Sequence, residues 1–191
     1  VIALDFFANR VSAILLLSTI LFYVFIYTIW LKRKTPQNIV IGGAAGALPP
    51  IIGWAIAMNN ISLEPIILFL IIFIWTPSHF WALSLYKSDD YRKAKIPMLP
   101  IVSGVSKTKY NIFIYALLLH PISLAPYLLN YSGIIYFLVS LISSSYYLFI
   151  CFKLMREKNP SKEKKLSQHI FGYSIFYLFI IFTAILVDAL I

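Results

Sequence analysis

The stretch Leu63-Glu-Pro-Ile-Ile-Leu-Phe-Leu-Ile-Ile-Phe-Ile-Trp-Thr-Pro-Ser-His-Phe-Trp-Ala-Leu-Ser-Leu85 decides the fold, because its only charged side chain is Glu64 at the start. A helix rises 1.5 Å per residue, so roughly 20 apolar residues cross about 30 Å of hydrocarbon. Five further stretches meet that length: Val11 to Trp30, Ile39 to Met58, Tyr110 to Leu129, Gly133 to Phe152 and Ile170 to Ile191. Apart from Glu64 and Asp188, near segment ends, none contains Asp, Glu, Lys or Arg. Hydrophobicity is near-continuous within each, without the period-two alternation of a transmembrane β-barrel. The expectation is all-α: a polytopic transmembrane helical bundle of six helices, forming one membrane domain over residues 1–191.

Composition agrees. The chain is 61% hydrophobic and 12% charged with mean hydropathy +0.86, against about 45–50% and about 25% in ordinary soluble domains. Val1 opens the sequence with no basic run, short apolar core or Ala-x-Ala site of a signal peptide after it, and the reading expects a further N-terminal portion. Cys151 is the single cysteine, so no intrachain disulfide or redox pair is read.

The net charge of +9 would suggest nucleic acid in a soluble protein, but its distribution implies a bilayer and no nucleic acid. Lys32, Arg33 and Lys34 follow the first segment. Lys87, Arg92, Lys93, Lys95, Lys107 and Lys109 follow the third, and Lys153, Arg156, Lys158, Lys162, Lys164 and Lys165 the fifth. Only Arg10 lies elsewhere among the 16 basic residues, and the connections Asn59 to Ser62 and Asn130 to Ser132 have none. The positive-inside rule puts the three basic loops on one side, cytoplasm or matrix, and both chain ends on the other. The run Lys153 to Lys165 reads as topological anchoring with headgroup contact.

Two segments are irregular. Gly42, Gly46, Pro50 and Gly53 leave one face of the second nearly bare, which fits either close packing of a neighbouring helix or a wall for a flat, apolar substrate. The third joins Pro77 to His79 inside the apolar span, and an intramembrane histidine is a site hypothesis by default. His79 lies about 12 Å below Lys87 if helical. On a continuing helix Tyr86 and Asp90 share its face, stacking an imidazole beneath a phenol and a carboxylate pair. That looks like a pocket, walled by Trp75, Phe80, Trp81 and Tyr86; the alternative is an interhelical hydrogen bond. His120 reads as a packing residue and His169 as interfacial. Asp89 and Asp90 stand beside Arg92 and Lys93, a donor set suited to a Mg²⁺-diphosphate, with the solvated helix end as the plain alternative. Residues 86–109 are the expected cytoplasmic active-site loop.

These residues resemble the protoheme IX farnesyltransferase (haem O synthase) family of the UbiA-like intramembrane prenyltransferase superfamily. The resemblance rests on the run Tyr27 to Trp54 with Gly-Gly-Ala-Ala-Gly-Ala-Leu-Pro-Pro at its centre, on Trp75, Pro77, His79, Phe80 and Trp81, and on Asp89-Asp-Tyr-Arg-Lys-Ala with Pro97-Met-Leu-Pro100. It implies a nine-helix fold with a cytoplasmic N-terminus, of which this chain supplies helices four to nine, in a bacterial plasma (inner) or mitochondrial inner membrane. Two departures stand out. The superfamily's first aspartate-rich motif has no counterpart here, and its second is reduced to Asp89 and Asp90. Ser78 replaces the second proline of the family's usual Trp-Thr-Pro-Pro-His-Phe-Trp.

The implied reaction is transfer of farnesyl from farnesyl diphosphate to a vinyl group of haem b, with Mg²⁺ as cofactor and haem as substrate. Asp89 and Asp90 are the implied metal ligands and catalytic carboxylates. Lys32, Arg33, Arg92 and Lys93 are the implied diphosphate contacts, and a downstream haem-modifying membrane enzyme the implied recipient of product. Broken helices with a buried histidine also suit a secondary transporter, or a non-catalytic subunit of a respiratory complex.

Overall fold

The computed structural model describes all residues, 1–191, and is helical throughout. The elements are α1 (Ile2–Phe7), α2 (Arg10–Leu21) with its π-helical continuation Phe22–Leu31, α3 (Asn38–Ala47), α4 (Pro49–Met58), α5 (Leu63–Tyr86), α6 (Ser88–Lys93), α7 (Leu99–Ser103), α8 (Val105–Leu128), α9 (Ile134–Arg156) and α10 (Pro160–Leu190). Taking α2 with its continuation and α3 with α4, six spans are long and apolar enough to cross a membrane. The chain divides into two compact units, Val1–Phe73 and Ile74–Ile191, with the boundary inside α5.

In the first unit, Asn9 caps α2 by accepting from Ser12 N at 2.9 Å, while its amide donates to the Ala55 carbonyl of α4 at 2.7 Å. One side chain thus satisfies a helix start and ties it to a neighbour. The first span was expected as a uniform α-helix, but its second half widens: Lys32 N bonds Tyr27 O at 2.8 Å, five residues back. Ten π-helical residues are unusual, since such turns normally come singly. The bare second span divides in use. A Cβ on Gly42 would lie 2.2 Å from Cδ2 of Tyr27, so glycine there permits close packing. Around Gly46 and Gly53 such an atom would meet nothing within 4 Å. The span breaks at Leu48, and Pro49 starts α4 where a missing N–H costs least.

In the second unit α8, α9 and α10 run as an antiparallel set joined by short turns. The buried seam is polar and small as well as apolar: Ser123, Ser140, Ser143, Ser144, Ser167 and Ser174 are all 5% exposed or less. Small side chains let backbones approach in lipid, where apolar contact gives no preference between neighbours. Ser123 and Ser144 return their hydroxyls to carbonyls four residues back, which satisfies the proton without a partner helix. Tyr147, fully buried, then donates to Ser78 Oγ across α9 and α5 at 2.9 Å. Ser78 passes its own proton to the Trp75 carbonyl at 2.9 Å, so this departure from the family pattern has a structural use.

Two helices start earlier than expected from hydropathy: α8 at Val105 rather than Tyr110, and α10 at Pro160 rather than Ile170. Lysine-rich turns fail a hydrocarbon criterion but still wind as α-helix. Asn159 caps α10, accepting from Ser161 N and Lys162 N, with Pro160 at its first position. Lys109, counted above as a loop cation, is buried: its Nζ donates to Glu163 Oε2 and to the Glu157 carbonyl, both at 2.7 Å, locking α8 to the α9–α10 turn.

Candidate functional site

The last half of α5 carries the chemistry. Trp75, His79 and Tyr86 share a helix face at spacings of four and seven. The His79 ring lies between two others: stacked on Trp75 with centroids 4.3 Å apart, and on Phe171 of α10 at 4.6 Å. Phe80 meets it edge-on at 5.0 Å, and Tyr86 reaches the same Phe171 at 6.1 Å. Nδ1 of His79 is 2.6 Å from Ser174 Oγ, and Trp75 Nε1 donates to the Ser174 carbonyl at 2.9 Å. The interhelical hydrogen bond that the sequence left as an alternative is therefore present. Trp81 points elsewhere: 1% exposed, it lies edge-on to Tyr115 of α8 at 5.3 Å, and its buried Nε1 has no partner. Four of the five expected pocket residues thus gather around the stacked His79 and Phe171 rings, and Trp81 does not.

The helix does not continue from Tyr86 to Asp90 as the face argument required. Lys87, at φ −111° and ψ 21°, interrupts it, and Asp89 and Asp90 open the separate short helix α6. The acidic first turn and the basic last turn, Arg92 and Lys93, complement its dipole. Asp90 is 3.4 Å from Lys87 and Asp89 4.0 Å from Arg92, all well exposed. No third His, Cys, Asp or Glu joins them as a ligand group. Two exposed, loosely paired carboxylates fit Mg²⁺, which is commonly held by one or two carboxylates with water and phosphate oxygens completing its shell. Burial and the neighbouring Tyr86 raise the Tyr91 phenol above its ordinary range, keeping it a neutral donor beside this turn.

Within residues 86–109, Met98 and Leu99 are 1% and 2% exposed and anchor the loop, while Gly104 at φ 83° makes the turn into α8. Lys32 and Arg33 lie in the first unit, in the turn before α3; Lys32 gives its carbonyl to Asn38 Nδ2 at 3.1 Å and sets Nζ 5.9 Å from the Tyr27 ring centre. Phe171 and Ser174 were missed by sequence reading. Their spacing of three on an apolar helix carries no signal of its own, because the partner histidine is 95 residues away from Ser174.

The fold and site define a multi-pass membrane protein with an aromatic-caged histidine between α5 and α10. The chain belongs to the UbiA prenyltransferase family, which it matches over residues 1–183. It is 63% identical over 188 residues to the protein of Pelagibacter ubique named protoheme IX farnesyltransferase, covering 98% of this chain and 62% of that protein. It is 49% identical to the Parvibaculum lavamentivorans protein of that name, covering 98% and 59%, and 49% identical to protoheme IX farnesyltransferase 2 of Mesorhizobium japonicum, covering 100% and 61%. The chain therefore spans about three fifths of the length of these relatives. No solved structure matches it.

Proposed function

We propose that the protein carrying this chain transfers farnesyl from farnesyl diphosphate to a vinyl group of haem b, giving haem O for a terminal oxidase. The observation that carries the reading is the 63% identity over 188 residues to a protein named for that activity. The setting supports it: an exposed Asp pair beside cations on α6, and a deeper aromatic cage on α5 and α10.

Asp89 and Asp90 would hold Mg²⁺, which when bound neutralises charge building on the departing diphosphate. Arg92 and Lys93 bind diphosphate oxygens, and Lys32 and Arg33 of the first unit are separate candidates for the same role. The aromatic faces of Trp75 and Phe80 exclude water and favour an allylic cation. His79, held in its cage, offers Nε2 to the porphyrin. The basic loops face the cytoplasm or matrix, and a downstream haem-modifying membrane enzyme takes the product.

The test is a chimera in which the N-terminal part of the Pelagibacter ubique relative precedes this chain. Supplied with Mg²⁺, haem b and farnesyl diphosphate in detergent, it is expected to form a farnesylated haem resolved by mass spectrometry. A chimera that folds, binds both substrates and yields no such product overturns the reading. The 191-residue chain alone is expected to give none, because the first aspartate motif is missing from its sequence.

A further inference from the structure

We propose that the basic ends of α9 and α10 form a binding site for an anionic phospholipid, its headgroup in a cavity between the two helices and a chain along the stripe beneath. The cavity, of about 300 Å³, is lined by Lys153, Glu157, Lys162, Lys165, Leu166 and His169.

Its charge is only partly spent. None of Lys153, Lys162 and Lys165 lies within 4.0 Å of a carboxylate. The two acidic residues nearby are otherwise engaged: Glu163 is taken by buried Lys109 at 2.7 Å, and Glu157 Oε1 accepts from Asn159 N and Lys158 N at 2.9 and 3.0 Å. Those bonds, chiefly the one from Asn159, with the charges of Lys162 and Lys109 adding to them, hold the Glu157 carboxyl below its ordinary range, so it stays ionised and offsets part of the Lys162 charge. Three lysines against one glutamate leave the lining cationic.

The wall is also built. Lys109 donates to the Glu157 carbonyl at 2.7 Å, fixing the turn that closes the cavity, and Tyr146 OH bonds His169 Nε2 at 3.0 Å across α9 and α10. Below it the surface turns apolar. Phe149 and Tyr146 stand four and seven residues before Lys153, on its face of α9, and are 60% and 41% exposed. On α10, Gly172 and Phe176 stand three and seven residues after His169; Phe176 is 54% exposed, and a Cβ on Gly172 would meet nothing within 4 Å. Phosphate above and acyl chain below is the shape of a phospholipid, whereas a free anion would use only the upper half. Basic pockets between membrane helices recognise anionic headgroups in this way.

The test measures binding of fluorescent phosphatidylglycerol to the chimera in nonionic detergent, with fluorescent phosphatidylcholine as the zwitterionic control and inorganic phosphate as competitor. Lys153→Gln/Lys162→Gln/Lys165→Gln is expected to weaken phosphatidylglycerol binding about tenfold or more. Lys34→Gln/Lys95→Gln/Lys107→Gln, which removes the same charge elsewhere, is expected to change it less than about twofold. Leu166→Trp, which fills the cavity and keeps its charge, should match the first variant and covers the case in which that one fails to fold. Equal loss in both triple variants, equal binding of phosphatidylcholine, or displacement by inorganic phosphate alone overturns the proposal.

Discussion

His79 Nδ1 and Ser174 Oγ are 2.6 Å apart, and the same hydroxyl donates to the Phe171 carbonyl at 2.6 Å. A serine has one proton to give. With that proton on Phe171, the hydrogen between Ser174 and His79 comes from the imidazole, so Nδ1 is protonated and the lone pair of the neutral ring sits on Nε2. Stacking by Trp75 and Phe171 on both faces then fixes the direction of that lone pair. A neutral imidazole so oriented can ligate haem iron. In the chimera, His79→Ala is expected to weaken haem binding about tenfold or more and shift the Soret band. Ser174→Ala, which removes only the acceptor, should weaken it about fivefold, the worth of one hydrogen bond. A haem titration with unchanged affinity and Soret position in His79→Ala removes the ligand role.

Asp90→Asn keeps shape and loses charge at an exposed position on α6, so the fold should not notice. Farnesyl transfer by the chimera is expected to fall by about a hundredfold or more while haem binding stays intact, because the proposed Mg²⁺ site loses one of its two carboxylates. Mg²⁺-dependent turnover at the original rate would reassign the metal.

Lys109 and Glu163 form a near-buried pair, with side chains 8% and 19% exposed. Lys109→Met leaves Glu163 without its cation and the Glu157 carbonyl without a donor, and is expected to cost about 2 kcal/mol, discounted from the fully buried case for the access that Glu163 keeps. Lys109→Met/Glu163→Gln should recover part of that loss. Detergent-denaturation midpoints of the two variants check this, and equal midpoints for single variant and wild type would show the pair to be neutral.

Gly42→Ala places a methyl 2.2 Å from the Tyr27 ring and 3.0 Å from its Cγ, near the root of the side chain, so the ring cannot simply swing clear. The expected cost is about 1–3 kcal/mol. Gly46→Ala, four residues on and facing open space, should be near neutral or slightly stabilising. Thermal aggregation midpoints compare them; equal midpoints would mean the Tyr27 contact yields freely.

Single cysteines replacing Lys34 and Lys95, introduced with Cys151 changed to alanine, are expected to react with an impermeant maleimide from the same face of sealed vesicles. Reaction from opposite faces breaks the six-span topology.

Sequence alone determined the spans and their number, because hydrocarbon thickness sets a minimum length and unsatisfied backbone in lipid forces a helix. The alternation of basic loops was legible for a similar reason, being a one-dimensional pattern, and the runs around His79 and Asp89 carried the family. Helix partners were not legible. In lipid, an apolar face has no preferred neighbour, so the rotation of α10 that brings Phe171 and Ser174 onto His79, and that of α9 that brings Tyr147 onto Ser78, is decided by small residues and single hydrogen bonds. The break at Lys87 was hidden because a run of polar residues reads alike as a continuing helix or as a turn and a new one. Lys109 reads as a loop cation until tertiary structure brings Glu163, 54 residues away, against it. Only folding in three dimensions sets which charges are spent inside the protein and which are left for a ligand.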